Sequence, residues 1–233
     1  MPVPPLLQVT DLYQPANARD ARPGRAALES ISLEVAPGEH VAILGPRGSG
    51  KTSLARALAL IEPPKRGRIL FEGQDVSRAG GGRLRGLRRR LQFLGGHPRH
   101  TLSPRLNLEH VLAEPLQVQG LGSPAERLAR VAAAAAAWQI NGHLLGERAG
   151  VLSLGLCQRV AVARAFMLEP RLLVCDELVE RLEPAAIGPL LRQLAEACRA
   201  AGAAWLWTTS DPNLAQQFAT RALRLENGRL LPA

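Results

Sequence analysis

Gly45-Pro46-Arg47-Gly48-Ser49-Gly50-Lys51-Thr52 fits G-x-x-x-x-G-K-[ST], a phosphate-binding loop. The pattern constrains the fold around it. It needs a buried strand before it and a helix after it, because that junction aims several backbone amides at one anion. Both are predicted. Val41-Ala42-Ile43-Leu44 is an apolar run with the character of a buried strand, and Ser53 to Leu60 has the amphipathic spacing of a helix. Gly48 and Gly50 let the chain turn its amides inward where a side chain would obstruct them. Lys51 can reach β- and γ-phosphates, and Thr52 offers a hydroxyl to Mg2+. These eight residues, with Ser53, are the expected ATP-binding set.

A second motif lies about 125 residues downstream. Leu172-Leu173-Val174-Cys175-Asp176-Glu177 is an apolar strand ending in two carboxylates. At the C-terminal edge of a parallel sheet, Asp176 would face the phosphate loop and hold Mg2+ with Thr52. Glu177 would sit where an attacking water needs polarising, and is the expected catalytic residue. Alone the second pattern is weak; after a good phosphate loop it is specific.

The remaining elements fit an α/β class. Residues 6–13 and 28–35 predict strands, with Pro15, Pro23 and Gly24 marking a loop between them. Pro63-Pro64 ends the first helix, Arg68–Phe71 is a short strand, and Gly80-Gly81-Gly82 predicts a flexible joint before a basic helix. Leu91–Leu94 is a further strand, after which His97-Pro98 and Ser103-Pro104 break the pattern. Asn107 predicts an N-cap for a helix Leu108–Gln119 with a kink or break at Pro115. Ser123-Pro124-Ala125-Glu126 predicts a capping box opening an alanine-rich helix to about Gln139. Helix Pro184–Ala201, strand Ala203–Thr208, helix Pro212–Thr220 and a hairpin at Asn227-Gly228 complete the chain. Strands alternating with helices predict a parallel sheet covered on both faces.

Composition narrows the class. The 233 residues are 46% hydrophobic but only 3% aromatic, so the core must be mainly aliphatic. Cys157, Cys175 and Cys198 form no C-x-x-C, which predicts reduced thiols in a cytosolic protein. Residues 1–9 show no signal-peptide pattern, and no run of about 18 apolar residues predicts a membrane span. The net charge of +9 suits nucleic acid or an anionic membrane surface. Much of it lies in Arg83-Leu84-Arg85-Gly86-Leu87-Arg88-Arg89-Arg90, which equally fits a solvated helix face. No aromatics are interleaved to stack on bases, so no specific nucleic acid is expected.

Leu60-Ile61-Glu62-Pro63-Pro64, Glu72-Gly73-Gln74-Asp75-Val76-Ser77, Leu102-Ser103-Pro104-Arg105, Ala113-Glu114-Pro115-Leu116 and Gln158-Arg159-Val160-Ala161-Val162-Ala163-Arg164-Ala165, taken with both motifs, resemble the ATPase subunits of ABC transporters. The resemblance covers nearly the whole chain and is closest to the peptide and nickel importer group. It implies a P-loop NTPase: a RecA-like core with a parallel sheet (1–95 and 166–233), an antiparallel β subdomain, and a helical subdomain over about 96–165. It also implies ATP and Mg2+ as ligands, a homo- or heterodimer with a second ATPase subunit, and membrane permease subunits as partners. The implied location is the cytoplasm, peripheral on the inner face of the cell membrane. Ser103–Leu116 would lie near the groove that receives a coupling helix of the membrane subunit.

The departures are as informative. The family's L-S-G-G-Q signature reads Leu152-Ser153-Leu154-Gly155-Leu156, so Ser153 and Gly155 alone remain to meet a partner's ATP. The glutamine that senses Mg2+ and water falls at Gly96, and the switch histidine at Ser210. The resemblance therefore implies ATP binding with slow hydrolysis at this chain's own site. The alternative reading is a soluble regulatory or nucleic-acid-associated P-loop ATPase without a membrane partner.

Overall fold

The structure, a computed structural model, describes residues 4–15, 26–97 and 101–233. The loop expected over Pro23-Gly24 and the break expected at Pro98 lie outside them. Strands β1 (Leu7–Pro15), β2 (Ala26–Val35), β4 (Arg66–Phe71) and β5 (Gln74–Asp75) form an antiparallel sheet in the order β2-β1-β4-β5. A six-stranded sheet runs β10-β9-β3-β8-β7-β6. In it β3 (His40–Leu44), β6 (Leu91–Gly95), β7 (Leu172–Asp176), β8 (Ala204–Thr209) and β9 (Arg221–Glu226) are parallel, and β10 (Arg229–Pro232) returns antiparallel.

The apolar runs of β7 and β8 are continuous because these strands are buried on both faces. Their side chains divide by the two-residue period. Val41, Ile43, Val174 and Leu206 join the core shared with β1, β2 and helix α1 (Lys51–Leu58), while Ala42, Leu173, Cys175, Trp205 and Trp207 face the opposite core. Leu54 and Leu58 of α1 are fully buried in the first core. Each such leucine contributes about 1.5–3 kcal/mol, which fixes the helix carrying Lys51 and Thr52 against the sheet.

The second core is filled by helices α3 (Leu108–Val118), α4 (Pro124–Ala137), α5 (Leu154–Phe166) and α6 (Pro184–Ala201), with α7 (Pro212–Phe218) beside them. The capping box at Ser123 is present, with the Ser123 amide donating to Glu126 Oε2 at 2.6 Å. Asn107 caps α3, and Gly202 closes α6 at φ 61°. Helix α1 starts at Lys51, with Gly50 as its N-cap. One expectation is corrected: Gly81 and Gly82 form the first turn of α2 (Gly81–Arg90) instead of a joint. Helix α3 continues through Pro115, so no break occurs there. An interior proline costs about 3 kcal/mol, and the buried Leu108, Val111, Leu112 and Leu116 outweigh it. The three cysteines are buried and form no disulfide with one another. Among the described residues no helix is long and apolar enough to cross a membrane.

Candidate nucleotide site

The sheet register gathers the site. Gly95 pairs with Asp176, Asp176 with Thr208, and Leu44 with Thr209, so four strands end along one edge. The phosphate loop leaves that edge after β3, Gly96 after β6, Glu177 after β7 and Ser210 after β8. Ligands of open parallel sheets bind at this C-terminal edge.

The loop has the geometry the motif requires. Gly48 and Gly50 both lie in the left-handed region, at φ 77° and 105°. Gly50 is constrained twice, since a Cβ there would stand 2.3 Å from the Ala27 carbonyl oxygen. A Cβ on Gly45 would meet the Leu225 oxygen and Ser49 Oγ, each at 2.6 Å. Gly50 caps α1, placing Lys51, Thr52 and Ser53 in its first turn. Lys51 is buried, and its ammonium donates to the carbonyls of Gly45 at 2.8 Å and Pro46 at 3.1 Å. It also lies 3.2 Å from Glu177 Oε1. The motif's cation and the expected catalytic carboxylate thus face each other across the loop mouth.

Thr208 organises the carboxylates, and sequence reading missed it. Its hydroxyl donates to Asp176 Oδ1 at 2.9 Å and accepts from the Glu177 amide at 2.9 Å. Glu177 takes φ 51°, a conformation costing about 1 kcal/mol for a non-glycine residue; the amide hydrogen bond helps hold it. Burial pushes the Asp176 carboxyl up, hydrogen bonds from Thr208 and Thr52 oppose this, and the Glu177 charge adds to it. The Thr52 hydroxyl and Asp176 carboxylate are therefore adjacent hard oxygens. That pairing fits Mg2+, which takes one or two protein oxygens and completes its shell with phosphate and water.

At Gly96, where the glutamine sensor is expected, the backbone is tightly packed. A Cβ at Gly96 would meet the Glu177 oxygen at 2.7 Å and the Asp176 oxygen at 3.0 Å. The backbone after β6 is packed against the backbone after β7, with no room for a side chain. Gln92 does not substitute: its amide donates to the Arg88 carbonyl, toward α2. Ser210 presents a hydroxyl 3.5 Å from Glu180 Oε1. Glu180 was also missed by sequence reading. Its other oxygen lies 3.6 Å from Arg47 of the phosphate loop. Burial and Glu177 raise the Glu180 carboxyl, while Arg47 and Lys51 oppose the shift. The available signal was its position three residues past Glu177.

Ser153 and Gly155 belong to α5. Ser153 is its N-cap, accepting from the Leu156 amide at 3.3 Å, and Gly155 has open space where a Cβ would lie. A separate cleft of about 250 Å3 lies between β6, α3 and α5. Arg88, Gln92, Glu114, Pro115, Arg164 and Leu168 line it. Arg164 crosses it, pairing with Glu114 at 2.7 Å and donating to the Thr101 carbonyl at 3.0 Å.

Comparison with known proteins agrees with this geometry. A family profile described as ABC transporter matches residues 28–180. A putative peptide import ATP-binding protein of Brucella ovis is 32% identical over 227 residues, which cover 97% of this chain and 71% of that protein. The nickel import ATP-binding protein NikE of Escherichia coli is 32% identical over 229 residues, 97% of this chain and 85% of that one. Among solved structures, cbiO1 of Clostridium perfringens, part of the ABC transporter complex cbiONQ, superposes with a TM-score of 0.82 at 25% identity, covering 97% of this chain and 87% of that one.

Proposed function

The chain belongs to the ABC transporter family, and from that premise we propose that it is the ATP-binding subunit of an importer of small solutes of the peptide or nickel kind. One observation carries the reading: Lys51, Thr52, Asp176 and Glu177 meet at one sheet edge around a loop whose glycines have phosphate-binding conformations. The residues Gly45 to Ser53 would bind the phosphates through amides and the Lys51 ammonium. Thr52 and Asp176 would hold Mg2+, which would neutralise charge on the terminal phosphates. Glu177 would orient and deprotonate the attacking water, held in place by Thr208.

We infer further that turnover at this site is slow. Each donor aimed at transition-state charge is typically worth about 3–4 kcal/mol, or about 10²–10³ in rate. With glycine at 96 and serine at 210, two such groups are replaced. Ser153 and Gly155 would serve the nucleotide held by a second ATPase subunit, with the dipole of α5 behind them. The cleft crossed by the Arg164–Glu114 pair contains part of the segment expected at the permease interface. That supports membrane permease subunits as partners and a cytoplasmic location beside them.

Calorimetric titration with Mg-ATP tests the nucleotide site. Lys51→Ala should weaken binding well beyond Glu177→Gln, because only the former removes the phosphate cation. Equal affinity in wild type and Lys51→Ala would overturn the site.

A further inference from the structure

We propose that Glu180 sets the nucleotide preference of this chain's own site, so that it holds a nucleoside diphosphate at least as tightly as the triphosphate. The inference rests on the nucleotide-site reading above and concerns what that site discriminates.

Glu180 is held over the phosphate loop from two sides. Arg47, within the loop, approaches Oε2 at 3.6 Å, and Ser210, after β8, approaches Oε1 at 3.5 Å. The Glu180 carboxyl lies close enough to Glu177 for their negative charges to oppose each other. Glu177 in turn contacts Lys51 at 3.2 Å. The Glu180 side chain is only 20% exposed, so solvent screens it incompletely. Lys51 and Arg47 thus face Glu177 and Glu180, while Asp176 also feels the charge of Arg56.

That balance acts unequally along a nucleotide. The first two phosphates would be gripped by loop amides and the N-terminal end of α1. A terminal phosphate would extend beyond Lys51, toward Glu177 and Glu180. There it would meet a second negative side chain, and Arg47 is partly neutralised by the same carboxylate. Like charges at this range repel substantially where water is partly excluded. A diphosphate avoids the repulsion.

The test is calorimetric titration of Mg-ATP and Mg-ADP into the full chain, Glu180→Gln and Glu180→Ser. The wild type should bind ADP at least as tightly as ATP. Both variants should shift the ATP/ADP affinity ratio toward ATP by about tenfold, chiefly through tighter ATP binding. An unchanged ratio in both variants, with both nucleotides bound, would overturn this inference alone. Failure of the wild type to bind either nucleotide would overturn the nucleotide-site reading with it.

Discussion

At Gly96 the backbone after β6 lies so close to β7 that even a methyl group would meet the Glu177 and Asp176 oxygens, at 2.7 and 3.0 Å. The absence of a glutamine there is therefore built into the local packing. Restoring it should not restore chemistry. Gly96→Gln is expected to destabilise the protein by about 1–3 kcal/mol through overpacking, visible as a lower Tm, with no gain in ATPase rate. An accelerated rate at unchanged Tm would mean that the two loops separate readily. The sequence exposed the phosphate-loop and carboxylate residues because their spacing is fixed by anion chemistry. It concealed Thr208 and Glu180, whose roles arise from β8 lying beside β7 and from a turn of the chain, neither of which leaves a local pattern.

At the scale of elements, β7 and β8 were legible as continuous apolar runs because both their faces are covered. Strand order was not, since pairing partners lie far apart in the chain. Helix α3 shows tertiary burial overriding a proline signal. Two elements carry predictions. His40 begins β3, is buried, and packs edge-on to Trp205. Burial and the Arg199 charge hold its imidazole below the ordinary 6.5, opposed by a hydrogen bond with the Phe218 backbone. The unfolded chain thus takes up a proton that the folded chain resists. Stability is retained above pH 6.5 and lost as pH falls below it. Urea denaturation at pH 7.5 and 5.5 should show this loss, and His40→Asn, which keeps a donor for Phe218, should reduce it. Helix α2 exposes Arg85, Arg88 and Arg89, and Arg88 also lines the cleft. Neutralising all three should weaken retention on anionic liposomes by about 1 kcal/mol per charge and lower its salt sensitivity. Unchanged retention at low salt would make α2 a solvated face.

Across the whole molecule, the helices over 108–166 share one apolar core with the outer face of the six-stranded sheet. Ser153 at the start of α5 and the phosphate loop are thereby fixed to one framework, although the proposed dimer would assign them to different nucleotide sites. The two ends depart from the family pattern differently. The signature keeps Ser153 and Gly155 but carries Leu154 and Leu156, so it would weaken a partner's site without abolishing it. In the proposed reading, the chain's own site keeps its phosphate grip and has glycine and serine where the two sensors are expected. Turnover in an assembled importer is therefore expected to come mainly from the partner's site. The direct measurement is steady-state ATPase of the assembled complex with the catalytic glutamate changed in one subunit at a time. Glu177→Gln should leave most of the activity, and the equivalent change in the other ATPase subunit should remove it; loss of most activity on Glu177→Gln alone would contradict the account.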